Sequence, residues 1–95
     1  MDTIRFQDID RVINIDGINS QIAMQIYDFR RLIMKKESIL NNSTFSKEIF
    51  FTKRIIIHLN NEISQLRKTS LALDLERKHL LDKHNIVDPF KNPYA

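Results

Sequence analysis

One long stretch of this 95-residue chain contains no residue that breaks a helix. The only glycine is Gly17 and the two prolines are Pro89 and Pro93, so residues 18–88 contain neither. In a helix interior, glycine and proline cost about 1 and 3 kcal/mol relative to alanine. Their absence over this range favours long helices and predicts an all-α fold.

A seven-residue repeat of apolar side chains runs through the second half of the chain. Its a and d positions hold mainly isoleucine and leucine: Ile49, Thr52, Ile56, Leu59, Ile63, Leu66, Leu73 and Leu80. Isoleucine at a and leucine at d is typical of parallel two-stranded coiled coils. Two further a positions, Ser70 and Arg77, are polar and weaken the C-terminal part of the repeat. This seam requires a partner helix, from the same chain or from another.

The polar tetrapeptide Asn41-Asn42-Ser43-Thr44 divides the chain into two helical parts. Asparagine tolerates the left-handed backbone that ends a helix, and serine or threonine can cap the next one. A loop of about four residues makes neighbouring helices antiparallel. We therefore predict a helical hairpin. Its first helix covers about residues 18–40, with Asp16 as N-cap, and its long C-terminal, coiled-coil-like helix covers about residues 45–84.

Turn signals divide the chain into three regions. Asp16-Gly17 separates residues 1–16, a short N-terminal arm or helix, from a hairpin domain over residues 17–87. Two X-Pro steps then make residues 88–95 an extended tail. At 1.5 Å per residue the first predicted helix is about 35 Å long and the second about 60 Å, so the first covers only part of the second.

The uncovered part of the long helix is the expected partner site. We expect the first helix to cover residues 49–66 and a partner to contact residues 68–84. The candidate interface consists of seam residues and one flanking leucine: Ile49, Ile56, Leu59, Ile63, Leu66, Leu71, Leu73 and Leu80. Further apolar side chains widen the stripe beyond a two-helix seam: Phe50, Phe51, Ile55, Ile57, Leu75 and Leu81. This width favours a bundle completed by oligomerisation, most simply a homodimer, or by a helical partner protein; the alternative is a monomeric three-helix fold.

Positive charge is concentrated in the middle of the chain. Residues 30–54 carry a net charge of +5 and residues 1–29 a net charge of −3. The basic side chains of this segment are Arg30, Arg31, Lys35, Lys36, Lys47, Lys53 and Arg54. Near the hairpin tip they could contact nucleic-acid phosphates, with Phe45, Phe50 and Phe51 stacking on bases. The alternative is a solvated surface that attracts an acidic partner or residues 1–29 of another subunit.

No motif for catalysis is found in the sequence. The chain has no cysteine, and a single glycine cannot build a phosphate-binding loop. His79 and His84 are five residues apart, which does not align two metal ligands on a helix, and His58 with Glu62 four residues on is most simply a surface pair. We therefore predict no enzyme, no cofactor, no metal and no small-molecule substrate.

The remaining expectations concern location and role. The start Met1-Asp2-Thr3 is acidic and lacks the apolar run of a signal peptide, and no segment has the roughly 20 apolar residues that span a bilayer. We expect a cytoplasmic protein, with the nucleus as alternative, that does not contact membranes. The predicted function is non-enzymatic protein–protein assembly, as a small helical subunit, adaptor or chaperone. The alternative is a small dimeric nucleic-acid-binding regulator.

Overall fold

The chain folds as two long antiparallel helices joined by a short loop. The computed structural model describes the backbone of residues 2–86 and the side chains of residues 4–86. Helix α1 is Asp2–Asn42 and helix α2 is Ser46–Lys83, and these residues contain no strand. The predicted all-α helical hairpin is confirmed. The predicted tail, residues 88–95, lies outside the described residues.

Helix α1 begins much earlier than the sequence predicts. It starts at Asp2 and runs without a break through Gly17, so the predicted start near residue 18 and the predicted N-cap at Asp16 are wrong. Gly17 has no positive φ, and a Cβ built there would meet nothing within 4 Å. One glycine costs a helix about 1 kcal/mol, which is a small cost for a helix of 41 residues. At 1.5 Å per residue α1 is about 60 Å long and matches α2.

The ends of α2 agree with the prediction to within one residue. The hydroxyl of Ser43 accepts a hydrogen bond from the backbone N–H of Phe45 (3.3 Å) and donates one to the carboxylate of Glu48 (3.0 Å). At the other end Asn85 adopts a left-handed backbone (φ 54°), and the N–H of Ile86 donates to the carbonyl of Leu81 at 2.9 Å. This is the geometry in which asparagine commonly ends a helix.

The inward-facing side chains of both helices follow alternating steps of three and four residues. In α2 every a and d position from Ile49 to Leu80 is buried or half-buried. In α1 the buried or half-buried positions with the same spacing are Asp8, Val12, Ile15, Asn19, Ile22, Ile26, Phe29, Ile33, Lys36 and Leu40. Ile18 lies one position outside this stripe and is 37% exposed. The two helices therefore share one seam along their whole length.

The core is thin because the fold has a single layer. Ile33, Leu59 and Ile63 form its buried cluster, against which Ile26, Phe29 and Ile56 pack. The molecule measures 65 × 29 × 15 Å, and its radius of gyration is 19.5 Å, against about 12 Å for a compact domain of this length. Among the described helices, none has a segment apolar enough to cross a membrane.

Candidate interaction surfaces

The seam residues of α2 that we predicted for a partner face α1. Leu59 and Ile63 are buried in the cluster with Ile33, and Ile56 packs against it. Four others are half-buried in the same seam: Ile49, Leu66, Leu73 and Leu80. Leu71 differs, because it lies outside the seam and is 61% exposed. The longer α1 also reaches residues 68–84, which corrects the expectation that the first helix stops short of them.

Polar side chains join the helices at the end of the hairpin that carries both termini. We call residues 2–22 and 70–86 the open half, and residues 23–69 the tip half. In the open half the guanidinium Nε of Arg77 donates to the Asp16 carboxylate at 2.6 Å, and the Arg77 side chain is only 11% exposed. Arg11 pairs with Glu76 through two hydrogen bonds, one of them from Nη2 at 3.1 Å.

Two further polar contacts extend this network. The hydroxyl of Ser70 donates to the Asn19 side-chain carbonyl at 3.0 Å, and the Asn19 amide donates to Asp74 at 2.9 Å. The polar a positions of α2 are thus matched by polar positions on α1. Sequence reasoning missed these partners, although the polar a positions were the signal that polar residues must face them.

Asp8 closes the seam at the open end. Its carboxylate lies 3.1 Å from the Lys83 ammonium and 2.7 Å from Nε2 of His84. The hydrogen bonds from His84 and then Lys83 hold the pKa of Asp8 below its usual value. In the same way the hydrogen bonds that Arg11 donates to Glu76 lower the pKa of Glu76 and raise the pKa of Arg11. Water screens such pairs, so each adds little to the free energy of unfolding.

The tip half carries the predicted basic residues, but they do not share one face. All seven are exposed except Lys36, which is half-buried in the seam. Arg31 lies over the ring of Tyr27 (5.8 Å) and Arg54 over the ring of Phe50 (5.6 Å). Lys47 and Arg54, seven residues apart, share the outer surface of α2. The tip is therefore basic around its circumference rather than on a single patch.

The three predicted aromatic residues at the tip are exposed. Phe45 is 72%, Phe50 55% and Phe51 61% exposed. The rings of Phe50 and Phe51 meet edge to face with centroids 5.6 Å apart. These side chains are not part of the core of the hairpin.

Apolar side chains and shallow grooves follow one side of the hairpin, which we call the groove side. Its open half includes an apolar groove lined by Ile9, Val12, Ile13, Leu81 and Ile86, together with Asp16 and Arg77. Next along the hairpin lie Asn19, Ser20, Ala23 and Asp74. In the tip half the lining residues are Arg30, Ile33, Met34, Asn60, Ile63, Ser64 and Arg67.

The most exposed apolar residues of the seam's flanks belong to the groove side. Positions seven residues apart share a helix face. On α1 this places Phe6 and Tyr27 beside the groove residues Ile13 and Met34. On α2 it places Ile57 and Leu71 beside the groove residue Ser64. These six apolar side chains are 60–68% exposed. On the opposite side, Ile4 is 54% exposed, and Ile18, Leu32, Ile39 and Ile55 are only 37–39% exposed. The groove side is therefore the larger uncovered apolar surface.

The histidines form no metal site in the part of the chain that the structure describes. His58 lies 4.0 Å from Glu62 on the exposed surface of α2, as expected for an i, i+4 pair. No group of three or more metal-ligating side chains occurs among the described residues.

Comparisons with known proteins do not add a functional assignment. No protein-family model matches the chain, and searches of curated proteins and of solved structures return no match.

Proposed function

We propose that this chain is a non-enzymatic assembly protein whose hairpin packs against other helices, those of a second copy or of a helical partner. The observation that carries the proposal is the imbalance between buried and exposed apolar residues. Seven hydrophobic side chains are buried, whereas sixteen large ones are exposed in the described residues. Surface patches of this extent are typical of interaction sites.

The accessible surface supports the same proposal. It measures 7790 Å², whereas a compact monomer of 11.3 kDa exposes about 5,700 Å². The excess of roughly 2,000 Å² exceeds the approximately 800 Å² that each partner buries in a standard protein interface. A hairpin of one layer gains from a second layer of helices on either of its apolar sides.

The binding surface in this proposal differs from the one expected from sequence. Because α1 occupies the seam of α2, the partner contacts the flanking positions instead. Leu71 is the one residue of the predicted interface that is both apolar and mostly exposed. Ile13, Met34 and Ile57 on the groove side join it.

Sedimentation equilibrium and thermal melting of the purified chain over a range of concentrations test the proposal. We expect an oligomer whose melting temperature rises with concentration, since association stabilises the folded state by mass action. A monomer that is largely unfolded alone also supports assembly, with a different partner supplying the missing layer. A folded monomer whose melting temperature is independent of concentration contradicts the proposal.

A second candidate function is nucleic-acid binding through the tip half. The tip half carries nine basic and four acidic side chains, a net charge of +5. Arg54 beside the exposed Phe50 ring combines a cation with an aromatic surface, the pairing used for single-stranded nucleic acids. The spread of the basic residues around the tip favours binding without sequence specificity.

Fluorescence anisotropy with a labelled single-stranded oligonucleotide at several salt concentrations tests this candidate. Replacing Arg31, Lys47 and Arg54 with alanine should weaken binding and flatten its salt dependence, because it removes three exposed positive charges of the tip. Replacing Arg5 and Lys78, which are exposed in the open half, is the matched control and should change little. No binding by the wild-type chain at low salt contradicts this candidate.

A further inference from the structure

We infer that the partner is a second copy of this chain, packed antiparallel on the groove side so that each tip half lies over the open half of the other copy. The inference rests on the proposed assembly function and specifies its partner. The two hairpins would form a four-helix bundle with a two-fold axis perpendicular to the long axis of the hairpin.

Charge along the hairpin favours a second copy in this orientation. The tip half has a net charge of +5, and the open half, with five basic and seven acidic side chains, has a net charge of −2. In the antiparallel arrangement unlike halves meet twice by symmetry, so the surface is complementary to itself. In the parallel arrangement the two basic halves would meet.

The polar residues that line the groove side repeat this pattern locally. Arg30 and Arg67 line its tip portion, whereas Asp16, Asp74 and Arg77 line its open portion, where Arg77 is paired with Asp16. With the two-fold axis at the middle of the hairpin, near residues 22 and 70, Asp74 of one copy and Arg67 of the other lie at nearly the same level. Of the four charged groove residues Asp16, Arg30, Arg67 and Asp74, these two would lie closest in level across the axis.

On α1, small side chains at the centre of the groove side allow the two hairpins to approach closely, while on α2 the exposed Leu71 of each copy would meet its counterpart near the axis. Ser20 and Ala23 line the groove near the proposed axis, and both have small side chains. On either side of them lie the exposed apolar residues Ile13 and Met34, at 61% and 68% exposure. Ile13 of one copy would lie near Met34 of the other, at about 14 Å and 18 Å from the axis.

Cysteine cross-linking tests the orientation directly, because the chain has no cysteine of its own. We would prepare full-length Ile13→Cys and Met34→Cys chains and oxidise them separately and mixed. Antiparallel packing predicts a disulfide-linked dimer chiefly in the mixture. Gln21→Cys, an exposed residue away from the groove side, is the control and should not form a cross-linked dimer. Cross-linking of Ile13→Cys with itself and of Met34→Cys with itself overturns the inference.

Charge reversal supplies a second, independent test. Arg67→Glu and Asp74→Arg should each weaken the dimer about tenfold or more, because each places like charges together. Combining both in one chain should restore the dimer. Lys68→Glu, next to Arg67 but exposed outside the groove, is the matched control and should change little.

The outcomes separate this inference from the function on which it rests. The inference is overturned if Arg67→Glu does not change the affinity of the oligomer, or if Gln21→Cys forms a cross-linked dimer. Neither result contradicts the proposed assembly function. A chain that is monomeric and unfolded alone also overturns the inference without contradicting that function. A folded monomer with a concentration-independent melting temperature overturns both.

Discussion

The tip half and the open half of the hairpin share one seam spacing but differ in the polar contacts that cross it. In the tip half the seam contains the apolar cluster of Ile33, Leu59 and Ile63. In the open half it contains the buried Val12, Ile15 and Ile22. It also contains hydrogen bonds and ion pairs, such as Asp16 with Arg77. Apolar burial is non-directional, whereas polar pairs require particular partners. The comparison indicates that apolar burial joins the helices in both halves and that polar pairs help to fix their register in the open half.

The largest expected effect is in the tip core. Ile63 is 4% exposed, and Ile63→Ala should lower the free energy of unfolding by about 2–5 kcal/mol through lost burial and a cavity. Urea denaturation followed by circular dichroism measures it. Leu75→Ala, at a position 62% exposed, is the control and should stay within about 0.5 kcal/mol. If both variants lower the free energy of unfolding equally, Ile63 is not in a packed core.

The next effect concerns the Asp16–Arg77 pair in the open half. Asp16→Ala should cost about 1–3 kcal/mol, since it removes the carboxylate from a guanidinium that is only 11% exposed. Replacing both residues with leucine should cost less than Asp16→Ala alone, because no charge then stays in the seam. A double-mutant cycle in urea gives the coupling. A coupling of zero would show that this pair does not fix the register.

A smaller effect is expected on acidification. The pKa values of Asp8 and Glu76 are lowered in the folded state, so the unfolded chain binds more protons in the acidic range. These two carboxylates therefore stabilise the folded chain at pH values above their pKa in the unfolded state. That stabilisation is lost as the pH falls through their pKa in the folded state. Hydrogen exchange should show the open half losing protection before the tip half. Asp8→Asn with Glu76→Gln should abolish that difference; if it persists, other groups cause it.

The smallest effect should come from Gly17. Gly17→Ala should stabilise the hairpin by about 0.5–1 kcal/mol, because Gly17 is helical and a Cβ there meets no atom within 4 Å. The gain in stability should appear as slower hydrogen exchange of the backbone amides in the open half. A loss of stability would mean that this position contacts something in the assembled protein.

Much of this fold follows from local sequence signals. The polar loop and the residues that end α2 are short-range features, so the hairpin and both ends of α2 could be predicted from them. The start of α1 could not, because Asp16-Gly17 has the local chemistry of a turn while the seam continues past it to Val12 and Ile15. The packing of α1 on α2 outweighs one unfavourable residue.

The candidate interface was harder to predict than the fold. An apolar heptad shows that a surface is covered, and the same pattern is satisfied by a partner helix from the same chain or from another. Leu59 and Ile63 belong to the predicted interface, yet they pack against Ile33 of α1, as we expected for residues 49–66. The exposed positions beside the seam, such as Ile57 and Leu71, indicate where a second surface lies. Their significance depends on the full length of α1, which the sequence alone did not provide.

The short loop of the hairpin also determines the order in which its contacts can form. Ser43 and Glu48 are five residues apart in sequence, whereas Asn19 and Ser70 are 51 apart and Asp8 and His84 are 76 apart. Contacts between distant residues require more chain to be ordered first. Folding should therefore start at the loop and proceed toward the termini. We expect substitutions in the tip core to slow folding, and those in the open half mainly to speed unfolding.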